Sequence, residues 1–335
     1  MRGEVGVLGA GSWGTTLANL LARKGHRVRL WSHEAEVARE INAERENAKY
    51  LPGISLDPRL EATVDLREAV EDAEVIVSVS PSQYVRGIVQ RAAPWIRPDA
   101  MVVSASKGIE TGTLQTMADV LDDVLPRAPA RTCYLSGPSF ALEVAREQPT
   151  AVVAASRSDV VARRGQELFQ TPYFRVYTNP DVRGVELGGA LKNVIALAAG
   201  MAAGLGLGNN ARAALITRGL AEIARLGLAM GASPLTFAGL AGMGDLILTC
   251  TGELSRNRRV GVALGQGRSL DDVLAEMTMV AEGIETTRAT HALAERMDIE
   301  MPIVAEVHAV LFDGRDPREA VDNLMLREPK AELWR

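Results

Sequence analysis

Apolar residues come in short runs over the first half of the chain and in long, nearly unbroken stretches over the second. The runs at 4–8, 27–31, 74–80, 101–105, 133–135, 151–155 and 174–177 are rich in β-branched and aromatic side chains, and each predicts a buried strand. Between them, helical spacing predicts helices over 15–24, 34–45, 84–92, 114–125 and 159–169. Such alternation predicts a doubly wound, mainly parallel sheet with right-handed crossovers. After Thr178-Asn179-Pro180-Asp181, a proline-containing turn with an Asx residue, the strand signal vanishes and 182–335 reads as helical throughout. Gly227, Gly231, Gly252 and the pair Gly265 and Gly267 predict breaks between those helices. No internal repeat or low-complexity tract interrupts this division.

The first strand runs straight into Gly9-Ala10-Gly11-Ser12-Trp13-Gly14, a G-x-G-x-x-G turn that opens a helix. With a strand before it and a helix and second strand after it, the turn reads as a dinucleotide-binding fingerprint; an ordinary βα turn is the competing reading. Gly9 permits the tight turn, Gly11 lets the backbone approach a pyrophosphate, and Gly14 allows close helix–strand packing. The helix from Ser12 aims unpaired N–H groups and a positive dipole end at the phosphates. The expected fold is therefore α/β: an N-terminal Rossmann-type domain over 1–180 and a C-terminal all-helical domain over 181–335 for substrate and catalysis. Ser80-Pro81, Lys107 and Gly137-Pro138-Ser139 fall just past predicted strand ends, the edge where open α/β sheets bind ligands.

Composition narrows the class further. The chain of 335 residues is 47% hydrophobic and 24% charged with a net charge of −5, so nothing global calls for nucleic acid or an anionic membrane, and an anionic substrate must be met by a local cluster of cations. Cys133 and Cys250 stand far apart without C-x-x-C spacing, and His26, His33, His291 and His308 are scattered, which argues against zinc, a disulfide framework or a histidine-based triad. The N-terminus enters a strand almost at once, leaving no room for a signal peptide, and no segment reaches about 18 uninterrupted apolar residues. The expectation is a cytoplasmic protein acting on a small molecule, with no metal, no nucleic acid, no membrane insertion and a homodimer as the candidate assembly.

Four constellations carry chemistry. Lys192-Asn193 sits in a stretch, 186–200, of small and apolar residues nearly all the way round, the mark of a buried helix. Burial depresses a lysine's pKa, which suits it to general acid–base work on a carbinol–carbonyl pair; a snorkelling or ion-paired structural lysine is the alternative. Ser255-Arg256-Asn257 offers a hydroxyl, a guanidinium and an amide as an oxyanion receptor, while Arg258 and Arg259 read as a solvated helix face. Asp245, in a glycine-flanked turn, orients a substrate hydroxyl or a lysine, or else caps a helix. Lys107 stands at the mouth of a strand beside Gly108, and Ser136-Gly137-Pro138-Ser139 leads from a strand into a helix N-terminus. The charged segment 313–335 carries no motif.

Taken together these segments resemble the bacterial NAD(P)-dependent sn-glycerol-3-phosphate dehydrogenases. The likeness spans nearly the whole chain through G-A-G-S-W-G-T, S-K-G-I-E-T-G-T-L-Q at 106–115, S-G-P-S-F-A at 136–141, G-A-L-K-N at 189–193, A-G-M-G-D-L at 241–246, S-R-N at 255–257 and V-A-E-G at 280–283. The resemblance implies reversible reduction of dihydroxyacetone phosphate to sn-glycerol 3-phosphate for glycerophospholipid synthesis. It implies that Lys192 is the proton donor and acceptor at the substrate C2 oxygen and that Lys107 touches both substrate and cofactor. It puts Gly137, Ser139, Asn193, Asp245, Ser255, Arg256 and Asn257 around the glycerol phosphate, with Arg256 on the phosphate. Ser12, Trp13, His33, Tyr50, Ala141, Val280 and Glu282, and Arg256 again, line the cofactor with the glycines. Ser139 stands where many members carry threonine, which keeps the hydroxyl.

The cofactor is NADP or NAD. An acid about 20 residues past the glycine motif normally takes the NAD ribose hydroxyl. Here the strand ends Trp31-Ser32-His33, with Glu34 one step late, and His33 or a nearby arginine is placed to meet a 2′-phosphate, so NADPH use with NADH tolerated is expected. Three rivals remain at this level: a nucleotide-sugar dehydrogenase with Cys250 as nucleophile, a 3-hydroxyacid dehydrogenase, and a dinucleotide-sensing module.

Overall fold

Eight strands form one sheet in the order β3-β2-β1-β4-β5-β6-β7-β8. They are β1 (Glu4–Leu8), β2 (Arg27–Trp31), β3 (Leu60–Thr63), β4 (Val75–Ser78), β5 (Met101–Ser104), β6 (Thr132–Ser136), β7 (Thr150–Ala155) and β8 (Phe174–Asn179). The structure, a computed structural model, describes residues 3–125, 129–329 and 331–332. Every strand pair is parallel except β6 with β7. Seven helices flank the sheet: α1 (Ser12–Arg23), α2 (Ala35–Glu44), α3 (Leu66–Val70), α4 (Val85–Ala92), α5 (Met117–Val124), α6 (Ala141–Ala145) and α7 (Asp159–Phe169). The predicted doubly wound, mainly parallel sheet is what the chain forms.

One strand and one helix escaped the sequence pattern. Strand β3 is four residues long with Glu61 exposed in its middle, and it pairs only with β2, so neither its length nor its periodicity announces it. Its outer edge is closed by a side chain: the Asn42 amide donates to the Ala62 carbonyl at 2.8 Å and accepts from the Ala62 N–H at 2.8 Å, blunting an edge that would otherwise template pairing. The short helix α3 follows, capped by Asp65.

Beyond β8 the described residues are helical: α8 (Val182–Gly204), α9 (Asn209–Ala229), α10 (Pro234–Phe237), α11 (Asp245–Thr251), α12 (Arg256–Gly265), α13 (Leu270–Ala275), α14 (Glu282–Arg296), α15 (Pro302–Phe312) and α16 (Pro317–Met325). The Asp181 carboxylate starts α8 by accepting from the Gly184 N–H, which is why the strand signal gives way at that turn. By length and composition two stretches, Val182–Gly204 and Pro234–Thr251, are apolar enough to cross a membrane. The first is the central helix of its own domain, 89% buried, and the second is broken by a π-helical turn over Leu240–Gly244.

Glycines set how closely α8 is approached. A Cβ on Gly200 would stand 2.2 Å from the Arg258 carbonyl, one on Gly204 2.3 Å from that of Val262, and one on Gly261 2.1 Å from that of Leu197. Pairs spaced four apart on α8 and on α12 thus bring the two backbones into contact and carry Ser255, Arg256 and Asn257 up to Lys192 and Asn193. Gly227 departs from expectation: it lies inside α9, where the absent side chain makes room for the Phe237 ring, whose Cζ would stand 2.2 Å from a Cβ. The glycine there serves packing and leaves the helix unbroken.

Candidate active site

The glycine turn adopts a shape that only its residues permit. Gly9 has φ +129°, and a Cβ on Gly14 would stand 1.9 Å from the Gly9 carbonyl oxygen, so α1 can dock on the turn only without one. A Cβ on Gly11 would meet nothing within 4 Å, because that residue faces the cleft. The first turn of α1 has no side-chain cap, which leaves its N–H groups to an anion. Behind the turn the fully buried Asn47 amide donates to the Ala10 carbonyl at 2.9 Å and to the Thr15 hydroxyl at 2.8 Å, locking it in place. A backbone cradle, open space at Gly11 and an uncapped helix of twelve residues fit a dinucleotide pyrophosphate.

That turn opens on one cleft of about 960 Å³ between the sheet and the helical domain. Gly9, Gly11, Ser12, Trp13 and Gly14 line its floor, with His33 and Tyr50 at the end of β2. Lys107, Ser139, Ala141, Lys192 and Asn193 line its middle. Ser255, Arg256, Asn257, Val280 and Glu282 form the helical wall. Gly137 and Asp245 are buried one layer back and reach the cleft through the lysines they hold.

The centre of that layer is a carboxylate between two ammonium groups. Asp245, 1% exposed, accepts from Lys107 Nζ at 2.7 Å on Oδ2 and is bonded to Lys192 Nζ on Oδ1. Lys107 Nζ donates as well to the Gly137 carbonyl at 3.1 Å. The Thr249 hydroxyl donates to the Asp245 backbone carbonyl at 2.6 Å. Asp245 begins α11 without capping it, since its side chain is spent on the lysines. Burial pulls the Lys192 ammonium down to about 8; Asp245 opposes the fall and the Lys107 charge adds to it. Burial pushes the Asp245 carboxyl up, but the two ammonium groups outweigh it and hold it below the ordinary range. Lys192 is thus a buried, paired cation poised close to neutrality.

Around it several polar side chains are paired and fixed. Asn257 donates to Asn193 Oδ1 at 2.9 Å and accepts from the Gly283 N–H at 2.9 Å, tying α12, α8 and α14 together. Arg256 donates to the Val280 carbonyl at 2.8 Å, and Ser255 caps α12 by accepting from the Arg258 N–H. Glu282 reaches across the cleft, accepting from Ser82 N at 3.0 Å and from the Ser82 hydroxyl at 2.5 Å. Gln83 continues that link to the Lys107 loop by donating to the Ile109 carbonyl at 2.8 Å. The sequence pattern does not single out Asn47, Ser82 or Gln83; an uncharged side chain that orders a loop has no signature in spacing or composition.

Two expectations need amendment, and one rival falls. The helix after Ser136-Gly137-Pro138-Ser139 is only the five-residue α6, whose N-cap residue Phe140 provides no side-chain cap, so its terminal dipole is small. Arg258 is not simply a solvated face, because its Nε is buried. Cys250 is fully buried, burial pushes its thiol up to about 12, and it is therefore a packed thiol with no nucleophilic role. Among the described residues no group of three or more His, Cys, Asp or Glu is placed to hold a metal ion.

Comparison with known proteins agrees with this geometry. Residues 4–162 match the family NAD-dependent glycerol-3-phosphate dehydrogenase N-terminus, and residues 181–322 match its C-terminus counterpart. The chain is 60% identical over 336 residues to glycerol-3-phosphate dehydrogenase [NAD(P)+] of Geobacter sulfurreducens, covering 100% of both. It is 56% identical to the enzyme of the same name from Citrifermentans bemidjiense over 99% of each. The crystal structure of glycerol-3-phosphate dehydrogenase from Coxiella burnetii superposes with a TM-score of 0.94 at 42% identity, over 97% of this chain and 99% of that one. These matches span nearly the whole chain, and this chain is a member of the NAD-dependent glycerol-3-phosphate dehydrogenase family.

Proposed function

We propose that Lys192 gives a proton to the C2 oxygen of the substrate, and takes it back in reverse, while the substrate phosphate is held by Arg256. The reaction is the reversible NAD(P)H-dependent reduction of dihydroxyacetone phosphate to sn-glycerol 3-phosphate. The observation that carries the assignment is the Lys192 ammonium, buried on Asp245 and lining the same cleft as the glycine turn.

The nicotinamide supplies hydride chemistry when bound. The chain's own residues do the rest. Arg256, with Ser255 and Asn257 beside it, grips the phosphate and so orients the three-carbon unit from a distance. Asn193, fixed by Asn257, faces the substrate next to Lys192. As negative charge develops on the C2 oxygen, the Lys192 ammonium neutralises it by proton transfer. Asp245 holds that ammonium in position and keeps its pKa from falling further. Lys107, on the second oxygen of the same carboxylate, adds positive field at the reacting end. In the cofactor set, Ser12, Trp13 and the three glycines take the pyrophosphate end, His33 and Tyr50 the ribose end, and Ala141, Val280 and Glu282 the flanking walls. The proposal includes a domain division at 180/181, NADPH preferred with NADH tolerated, a homodimer, and a cytoplasmic location where reduced nicotinamide is available.

The test follows absorbance near ~340 nm, the reduced-nicotinamide band, with dihydroxyacetone phosphate and each cofactor in turn, on the wild-type chain and on Lys192→Ala. Wild-type turnover with loss of it in Lys192→Ala, cofactor binding intact, is the expected result. Near-wild-type turnover in that variant removes the mechanism.

A further inference from the structure

The acidic residue nearest the end of β2 is not free. Glu34 is the N-cap residue of α2, held by its N–H on the Ser32 hydroxyl at 3.1 Å. One carboxylate oxygen accepts from the Tyr50 hydroxyl and the other is ion-paired with Lys49 Nζ. The Lys49 ammonium also lies 5.2 Å from the Tyr50 ring centroid, so three side chains form one unit. Glu34 and Tyr50 line the cleft with Trp31 and His33.

This is the place in a dinucleotide fold where the ribose next to adenine is read. An acid there accepts from a free 2′-hydroxyl and repels a 2′-phosphate; a cation does the reverse. Most such sites carry one or the other. This chain carries both, paired, with a phenol holding the carboxylate.

We propose that the Glu34–Lys49 pair determines cofactor choice: Lys49 is the cation that takes a 2′-phosphate, Glu34 is the acceptor that takes a 2′-hydroxyl, and their mutual neutralisation admits both cofactors. The proposal rests on the dinucleotide reading of the cleft. It replaces His33 or an arginine, the groups suggested by sequence, with a lysine that the chain brings back from 15 residues further on. It also gives the two partners opposite roles, so that removing one must push selectivity one way and removing the other must push it back.

Titration calorimetry on the full chain tests this with two probes, 2′,5′-ADP and 5′-AMP, which differ by the one phosphate. Lys49→Met is expected to weaken 2′,5′-ADP by about tenfold or more while 5′-AMP binds at least as well as before, the loss of one charge-assisted phosphate contact. Lys49→Arg should restore most of the lost affinity. Glu34→Gln, which frees Lys49, should tighten 2′,5′-ADP and weaken 5′-AMP, and the NADPH-to-NADH ratio of kcat/KM should follow in the same sense. Unfolding temperatures of the three variants separate a local change from a folding defect. An unchanged ratio of the two affinities in both Lys49→Met and Glu34→Gln overturns the proposal. So does loss of 2′,5′-ADP binding in Arg91→Ala, a cation that lines the cleft itself whereas Lys49 is exposed on the Glu34 carboxylate at its rim, with Lys49→Met unaffected. If neither nucleotide binds the wild-type chain, the cofactor reading fails as well and is recognised as the cause.

Discussion

The glycine turn and the lysine cluster face the same cleft and are built in opposite ways. The turn is made of backbone, from six consecutive residues, and works because side chains are missing: a methyl on Gly14 would stand 1.9 Å from the Gly9 carbonyl. The cluster is made of side chains from three remote segments, Lys107 and Asp245 lying 138 residues apart and Lys192 and Asp245 53 apart. The first recognises an anion with neutral dipoles and needs no burial of charge. The second buries a carboxylate and an ammonium with a half-buried second ammonium beside them, and the buried charges are tolerable only because they are paired. The proposed cofactor cradle is thus local, whereas the proposed acid–base centre depends on the whole assembly being correct.

The sharpest way to separate the two halves is to empty one of them. Lys192→Ala should cut turnover by about a thousandfold or more, the combined worth of proton transfer and charge neutralisation, while the cofactor dissociation constant measured by fluorescence titration stays unchanged. A parallel loss of cofactor affinity would mean that the halves are not separable. Next in size is the phosphate contact: Arg256→Ala should raise the KM for dihydroxyacetone phosphate by about a hundredfold and leave the slow turnover of unphosphorylated dihydroxyacetone nearly as it was. Equal losses on both substrates would deny Arg256 the phosphate.

A pH profile probes the cluster's internal balance. On the proposed mechanism ketone reduction uses the Lys192 ammonium, so its kcat/KM should decline as pH rises through about 8, and oxidation of glycerol 3-phosphate should rise through the same value. Asp245 raises the Lys192 pKa; in Asp245→Asn both limbs should therefore move to lower pH by about one to two units. Limbs that stay put would show that the carboxylate does not govern this lysine. Smaller in effect on chemistry is Gly200→Ala, which drives a methyl into the α12 backbone 2.2 Å away; it should cost about 2–4 kcal/mol of stability, seen as a lower midpoint in denaturant. The smallest expected effect is Cys250→Ser: a buried thiol with no role in the reaction should leave turnover within about twofold.

Much of the fold was legible because it follows from local pattern. The runs at 101–105 and 151–155 are small apolar residues around paired valines, buried almost throughout inside the sheet, and such runs announce themselves. The Asx-proline turn before α8 did so equally. Strand β3 did not, because a four-residue edge strand with an exposed glutamate gets its definition from β2 and from the Asn42 amide rather than from its own sequence. Gly227 misled for a related reason: glycine weakens a helix alone, but the Phe237 ring packed over it restores what was lost.

The sequence by itself determined the order of elements, the glycine cradle, and the presence of a lysine on a helix apolar all round. Those features depend on residues within a few turns of one another, so their physics is written in consecutive letters. Only the tertiary structure decided that Asp245 holds Lys192 and caps nothing, that Asn47 locks the glycine turn, and that Glu34 is neutralised by Lys49. Each of these is a pairing of polar side chains across a chain reversal, and which partner a buried charge finds is fixed by the packing of whole elements, not by its neighbours in sequence.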